Sequence, residues 1–154
     1  LANYSRKGVV MECEFPRVNS NPQEVERYLR ECKSIAIVGA SPNPQKDSNK
    51  VTKYLIECGY EIYPIYPKED EILGRKVYRS LKEIEHPVDM VVVFRKPAAV
   101  APIADACIER GDVKVLWTQK GIVNNEAAEK AEKAGMNVVQ NMCAMVEHRE
   151  LIGD

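Results

Sequence analysis

"SIAIVGASPNPQKDSNKVTKYLIECG", residues 34–59, decides how the chain folds. Its first half is a continuous apolar run ending in Gly39, as expected of a strand covered on both faces. Its second half sets Val51, Tyr54, Leu55 and Cys58 at helical spacing, with Ser48 placed to cap the helix and Gly59 to close it. A strand, a glycine turn and a helix open many nucleotide-binding domains, but those turns usually carry three glycines spaced G-x-G-x-x-G. Here Gly39 stands alone, and Pro42 and Pro44 follow. One glycine still lets the chain turn sharply off the strand. Without the second, close backbone approach to a pyrophosphate is less assured. The proline loop holds the helix start further out, where free N–H groups near Ser48 can meet a phosphate.

The same alternation extends outward in both directions. Upstream, "PQEVERYLREC" sets Val25, Tyr28, Leu29 and Cys32 at helical spacing. Downstream, "YEIYPIYPK" reads as a second strand, and Pro64 inside it calls for a sheet edge or a bulge. "GRKVYRSLKEI" reads as a short extended piece and a turn of helix, and "VDMVVVF" as the third strand. Pro97 and Pro102 do not suit one helix, so a brief turn is expected after Pro97 and a main helix from Pro102 to Gly111. "VKVLW" is the fourth strand and "MNVVQN" the last, separated by a helix that Asn124 caps. Strands alternating with short helices imply right-handed crossovers. The expected fold is a doubly wound α/β domain with a mainly parallel sheet of about five strands, spanning residues 21–154. Residues 1–20 show no period and are set aside as an N-terminal extension, with Met11 a candidate native start.

Composition narrows the partners. A net charge of −1 gives no overall basic field to draw in nucleic acid or an acidic membrane. No apolar run approaches a membrane span. Five cysteines lie far apart without a C-x-x-C pair, which argues against a disulfide framework or a zinc site and favours the cytoplasm.

In such a sheet, ligands bind beyond the carboxyl ends of the strands. The residues that follow each strand include Lys46, Lys68, Arg95, Lys96 and Lys120, with Asp47 the one acid. Any one surface lysine needs no purpose, but the set favours a phosphate-rich ligand. An NAD site usually ends its second strand in Asp or Glu. Here that strand runs out to Lys68, and Glu61 opens it at the wrong end, so NAD is disfavoured while NADP stays open.

"IAIVGASPNP", "YPIYPK", "ILGRKVYRSLKEI", "PVDMVVVFRKPAAV", "WTQKGIVNNEAAEKAEKAG" and "NMC" occur in the order seen in the small CoA-binding proteins, which the chain resembles over about residues 22–150. These are single Rossmann-like domains similar to the CoA-binding domain of the succinyl-CoA synthetase alpha subunit. The resemblance implies CoA or acyl-CoA as ligand. It implies that Gly39, Ala40 and Ser41 face the phosphates, that Lys46 and Ser48 precede the first sheet-covering helix, and that Lys68 lies near the adenosine phosphates. It further implies that Phe94, Arg95 and Val100 line the adenine and pantetheine side, and that Trp117, Thr118 and Gln119 border the ligand. Cations at such phosphates are charge-assisted donors. The chain departs from the pattern at Asn141 and Met142, where many relatives read Asp-Arg, and at Tyr66 before Pro67, where relatives often have Asn.

The synthetase needs a phosphorylated histidine on a second domain. This chain has His86, read as a turn residue, and His148, read as a surface residue of the tail. No P-loop, Ser-His-Asp set or metal-spaced cluster is visible. Cys143 is the one candidate nucleophile, and a buried, inert cysteine is the commoner outcome. The expectation is a binding protein without a catalytic residue or a metal, whose partner is a small molecule. An NADP-dependent oxidoreductase domain and a regulatory subunit of a synthetase-like partner are the alternatives. A homodimer through the edge near Pro64 or the first helix is left open.

Overall fold

The computed structural model describes residues 14–153, so the Met11 start lies outside the described residues. Helix α1 (Pro22–Glu31) begins in a capping box: Asn21 Oδ1 accepts the Glu24 N–H and Glu24 Oε1 accepts the Asn21 N–H, each at 2.8 Å. Strand β1 (Ser34–Val38) is buried throughout and leads to helix α2 (Asp47–Glu57) and strand β2 (Glu61–Ile65). A small antiparallel pair follows, β3 (Glu71–Ile72) and β4 (Arg75–Lys76), then a 3-10 turn at Leu81–Glu83 and strand β5 (Met90–Val93). A second 3-10 turn at Pro97–Ala99 runs into helix α3 (Val100–Arg110). Strand β6 (Val115–Thr118), helix α4 (Asn125–Lys133), strand β7 (Asn137–Val139) and helix α5 (Ala144–Leu151) complete the domain.

The main sheet is five-stranded and wholly parallel, in the order β2-β1-β5-β6-β7. Alternate side chains of β1 divide the core. Ala36 and Val38 point toward α3 and α4, while Ile35 and Ile37 point toward α1, α2 and α5. Both faces are therefore covered, and fully burying each of the valine and isoleucine side chains stabilises the fold by about 1.5–3 kcal/mol. Pro64 sits on β2, an edge strand, where its missing N–H costs no ladder bond; its carbonyl accepts the Tyr78 N–H at 2.9 Å.

Three local expectations need correction. Ser48 does not cap α2, because the helix starts at Asp47 with Lys46 as its N-cap. The Ser48 hydroxyl accepts the Ser41 N–H at 3.0 Å instead, tying the proline loop to the helix. The main helix after β5 begins at Val100, so Pro102 lies within its first turn, where it lacks no needed donor. His148 is not a surface residue of the tail but is 7% exposed, with Nδ1 2.9 Å from the Tyr54 hydroxyl. Burial, and then the neighbouring Arg30, hold its imidazole below the ordinary pKa.

Residues 14–20, set aside by sequence, pack against the edge of β7. Val18 joins the core, Ser20 Oγ donates to the Val138 carbonyl at 2.8 Å, and the Asn19 side chain bonds both the N–H and the carbonyl of Gln140. Gln140, 1% exposed, donates in turn to the Val18 carbonyl and accepts the Asn124 N–H.

Arg110 braces the far end. Its guanidinium donates to the carbonyls of Leu81, Ile84 and His86 and pairs with Asp112 at 3.0 Å. Partial burial pushes the Asp112 carboxyl up, but bonds from Arg110 and the Val88 N–H outweigh it and hold the pKa below the ordinary value. A depressed folded-state pKa contributes stability above the unfolded value, and that stability is lost as pH falls through the folded value. Asp112→Asn is therefore expected to flatten the acid limb, with melting temperature falling less between pH 6 and pH 3 than in the wild type.

Candidate functional site

The strand order 2-1-3-4-5, counted along the main sheet, reverses between β1 and β5, so their carboxyl ends mark the switch point where doubly wound domains take ligands. Gly39 leaves β1 there with φ +91°, a conformation that side chains rarely adopt. A Cβ on Gly39 would stand 2.6 Å from the Phe94 carbonyl oxygen and 3.2 Å from Arg95 Cδ. This glycine is thus required by the close passage of the β5 exit, not only by the turn. The N–H groups of Gly39 and Ala40 both donate to the Ile65 carbonyl, at 2.9 and 3.2 Å, and the Ser41 N–H goes to Ser48. The turn's amides are therefore engaged internally. Among the described residues, the N–H groups of Asp47 and Ser48 at the start of α2 find no acceptor, which leaves them for a ligand.

Two clefts open at this end. One, of about 450 Å³, is lined by Gly39, Tyr66, Pro67, Arg79, Phe94 and Arg95, with Val38 and Ile65 at its base. The other, of about 420 Å³, is lined by Asp47, Phe94, Arg95, Lys96, Gln119, Lys120 and Ile122. Phe94 and Arg95 belong to both, so the β5 exit forms the ridge between them. Three cations against the single Asp47 line the second cleft, which suits an anionic ligand.

The remaining expected residues fall into two groups. Lys46 and Lys68 are exposed and stand outside the linings, and Ser41 is half-buried in the loop. Ala40, Val100, Trp117 and Thr118 are at most 1% exposed. None of the four lines either cleft: the Trp117 indole donates to the Met142 carbonyl at 2.8 Å, and the Thr118 hydroxyl to that of Ile122 at 2.7 Å. Gln119 reaches the second cleft while its Oε1 accepts the Ala144 N–H, which fixes the start of α5. Asn141 has φ +62°, a conformation that asparagine tolerates well, and its Oδ1 accepts the Gly121 N–H. Cys143, half-buried at the N-cap of α5, lines neither cleft.

Arg79 was not foreseen. It lies where a short extended piece and a turn of helix were expected, and its approach to the cleft depends on the β3–β4 excursion folding back against β2. Ile122 was missed for a similar reason, since it comes from the loop after β6.

A further cleft of about 640 Å³ lies at the opposite, amino ends of the strands. Glu31, Asp89 and Asp112 on its wall outnumber Arg27 and Lys114, so it suits a polyanion less well than the clefts at the switch point. Burial pushes its thiols up, Cys32 to about 11 and Cys107 to about 12, so neither is an active nucleophile at neutral pH. His148 also belongs to that end, beside Cys58 and Tyr60.

A parallel doubly wound sheet with a glycine turn and cationic clefts at its switch point defines a Rossmann-like α/β domain. The chain belongs to the CoA binding domain family, whose model matches residues 33–149. It is 39% identical over 130 residues to the uncharacterised protein YneT of Bacillus subtilis, covering 84% of this chain and 96% of that one. A hypothetical protein from Pyrococcus horikoshii superposes with a TM-score of 0.85 at 41% identity, covering 91% of this chain and 98% of the other. The alpha subunit of the ADP-forming acetate–CoA ligase I of Pyrococcus furiosus is 37% identical over 122 residues; the match covers 70% of this chain but 26% of the subunit. The relation to CoA-binding domains of synthetase subunits is thus established. Among the described residues, no helix is long and apolar enough to cross a membrane.

Proposed function

We propose that the chain binds coenzyme A, free or acylated, across the carboxyl ends of β1, β5 and β6. The observation that carries this reading is the pair of cationic clefts flanking Phe94 and Arg95 beside the open start of α2. The donors fit a ligand with a pyrophosphate and a separate ribose phosphate. Arg95, Lys96 and Lys120 line the walls, two backbone N–H groups lie at the helix start, and Lys46 and Lys68 stand just outside. The apolar faces of Phe94 and Ile122 offer surface to the adenine and the pantetheine arm. In this reading Trp117, Thr118 and Val100 support the rim from within, and the protein holds its ligand without turning it over, in the cytoplasm.

Calorimetric titration with CoA, dephospho-CoA, NAD and NADP tests the proposal. CoA is expected to bind tightest, with loss of the 3′-phosphate costing about tenfold in affinity and Lys68→Ala a similar factor for CoA alone. NADP binding with no response to CoA would sink it. A second reading, in which the chain regulates a separate synthetase-like partner, is favoured by the likeness to a ligase alpha subunit. Co-purification of a second chain with the tagged protein is the result that reading requires.

A further inference from the structure

We propose that Arg79 is a positioning residue for the ribose-phosphate end of the site, acting by bracing the backbone arch that carries Lys68. The inference rests on the CoA reading and goes beyond it: "ILGRKVYRSLKEI" carries part of the resemblance, but the resemblance implies no role for Arg79. The arch runs from Tyr66 to Glu69 at the exit of β2. Arg79 Nη1 donates to the Tyr66, Lys68 and Glu69 carbonyls at 3.1, 3.2 and 2.9 Å. Two hydrogens are thus shared among three converging oxygens; a lysine ammonium has three hydrogens to offer, but its stem ends one bond short of Nη1 and would not reach the same point.

The arch needs this brace. Glu69 has φ +69°, a conformation held only where surrounding bonds enforce it. Tyr66 N–H to the Tyr78 carbonyl and Val77 N–H to the Asp70 carbonyl anchor the two ends, but among the described residues only Arg79 reaches the middle. Arg79 also lines the cleft beside Gly39 and Arg95. Its positive charge offsets the dipoles of the three carbonyls it binds. Arg79 is held in turn from below, its own N–H donating to Glu83 Oε1 at 2.8 Å. Lys68 is exposed and makes no ion pair among the described residues, so the arch sets the point from which its ammonium can reach a ligand.

Two measurements test the assignment. The first is amide hydrogen exchange of the ligand-free protein, where Arg79→Ala is expected to speed deuterium uptake across residues 66–69 about tenfold while β1 and β5 stay protected. Unchanged uptake would overturn the brace whatever the ligand. The second is the ratio of CoA to dephospho-CoA affinity, which does not depend on the fraction of protein folded. Arg79→Ala is expected to cut that ratio about tenfold. Arg79→Lys should recover little of it, and Arg79→Ala should add less than about twofold once Lys68 is already alanine. Full rescue by Arg79→Lys would make the residue a simple charge and overturn the proposal, as would independent effects of the two alanine substitutions. A wild type that ignores CoA would instead remove the CoA reading itself, leaving the exchange result to decide the brace.

Discussion

Gly39→Ala is expected to lower the unfolding free energy by about 3 kcal/mol, measured by urea denaturation. Two costs add. The φ of +91° disfavours any L side chain by about 1–2 kcal/mol. The new methyl would also lie 2.6 Å from the Phe94 carbonyl oxygen, a backbone atom that cannot rotate away. Gly59 separates the two effects, since its φ is +99° but nothing lies within 4 Å of its added Cβ. Gly59→Ala should therefore cost only the conformational part. Relief of the clash at Gly39 would push the β5 exit outward and take Arg95 with it. CoA affinity should then fall in Gly39→Ala even under conditions where the variant is fully folded, and an unaltered affinity would count against the placement of the site.

Trp117→Ala is expected to cost about 3–5 kcal/mol, the range for deleting a fully buried aromatic side chain. Trp117 is 0% exposed on β6, between the helices α1, α2 and α5 and the sheet. Its indole also closes a bond to the Met142 carbonyl. Trp117→Phe keeps most of the apolar volume and loses that bond, so a smaller loss of about 1–3 kcal/mol is expected. Trp117 is the only tryptophan in the chain, so the variants must be followed by circular dichroism rather than by its fluorescence. Equal losses for the two variants would mean that the hydrogen bond, not the packing, holds the rim.

The sheet was legible because its strands are buried on both faces. Such strands read as unbroken apolar runs, and "SIAIV" and "MVVV" appear in the structure within a residue or two of their apparent limits. The helices α2 and α4 announced themselves through spacing and through Asn124, whose side chain accepts the Ala127 N–H. The rim positions of Gly39, Phe94, Arg95 and Gln119 followed from topology, since whatever succeeds a parallel strand lands at one end of the sheet. What stayed hidden depends on contacts between segments distant in sequence. Arg79 reaches its carbonyls across 10 to 13 residues. The strap before α1 bonds groups more than 100 residues away, through Asn, Ser and Arg side chains that carry no period. His148 looked solvent-facing on α5 because nothing local shows that Tyr54 and Tyr60 close over it.

The strap has a consequence for how this molecule behaves in a crowd. A parallel sheet ends in two rows of backbone amides and carbonyls, and a bare row is a template on which a second polypeptide can crystallise as an added strand. Here β7 has its row answered by side chains: Asn19 satisfies the amide and carbonyl of Gln140, and Ser20 takes the carbonyl of Val138. At the opposite margin Pro64 presents no amide, and Tyr78 occupies its carbonyl. Each margin is thereby partly occupied, which leaves less of it free to template fibre-like stacking, without a strand being spent on either.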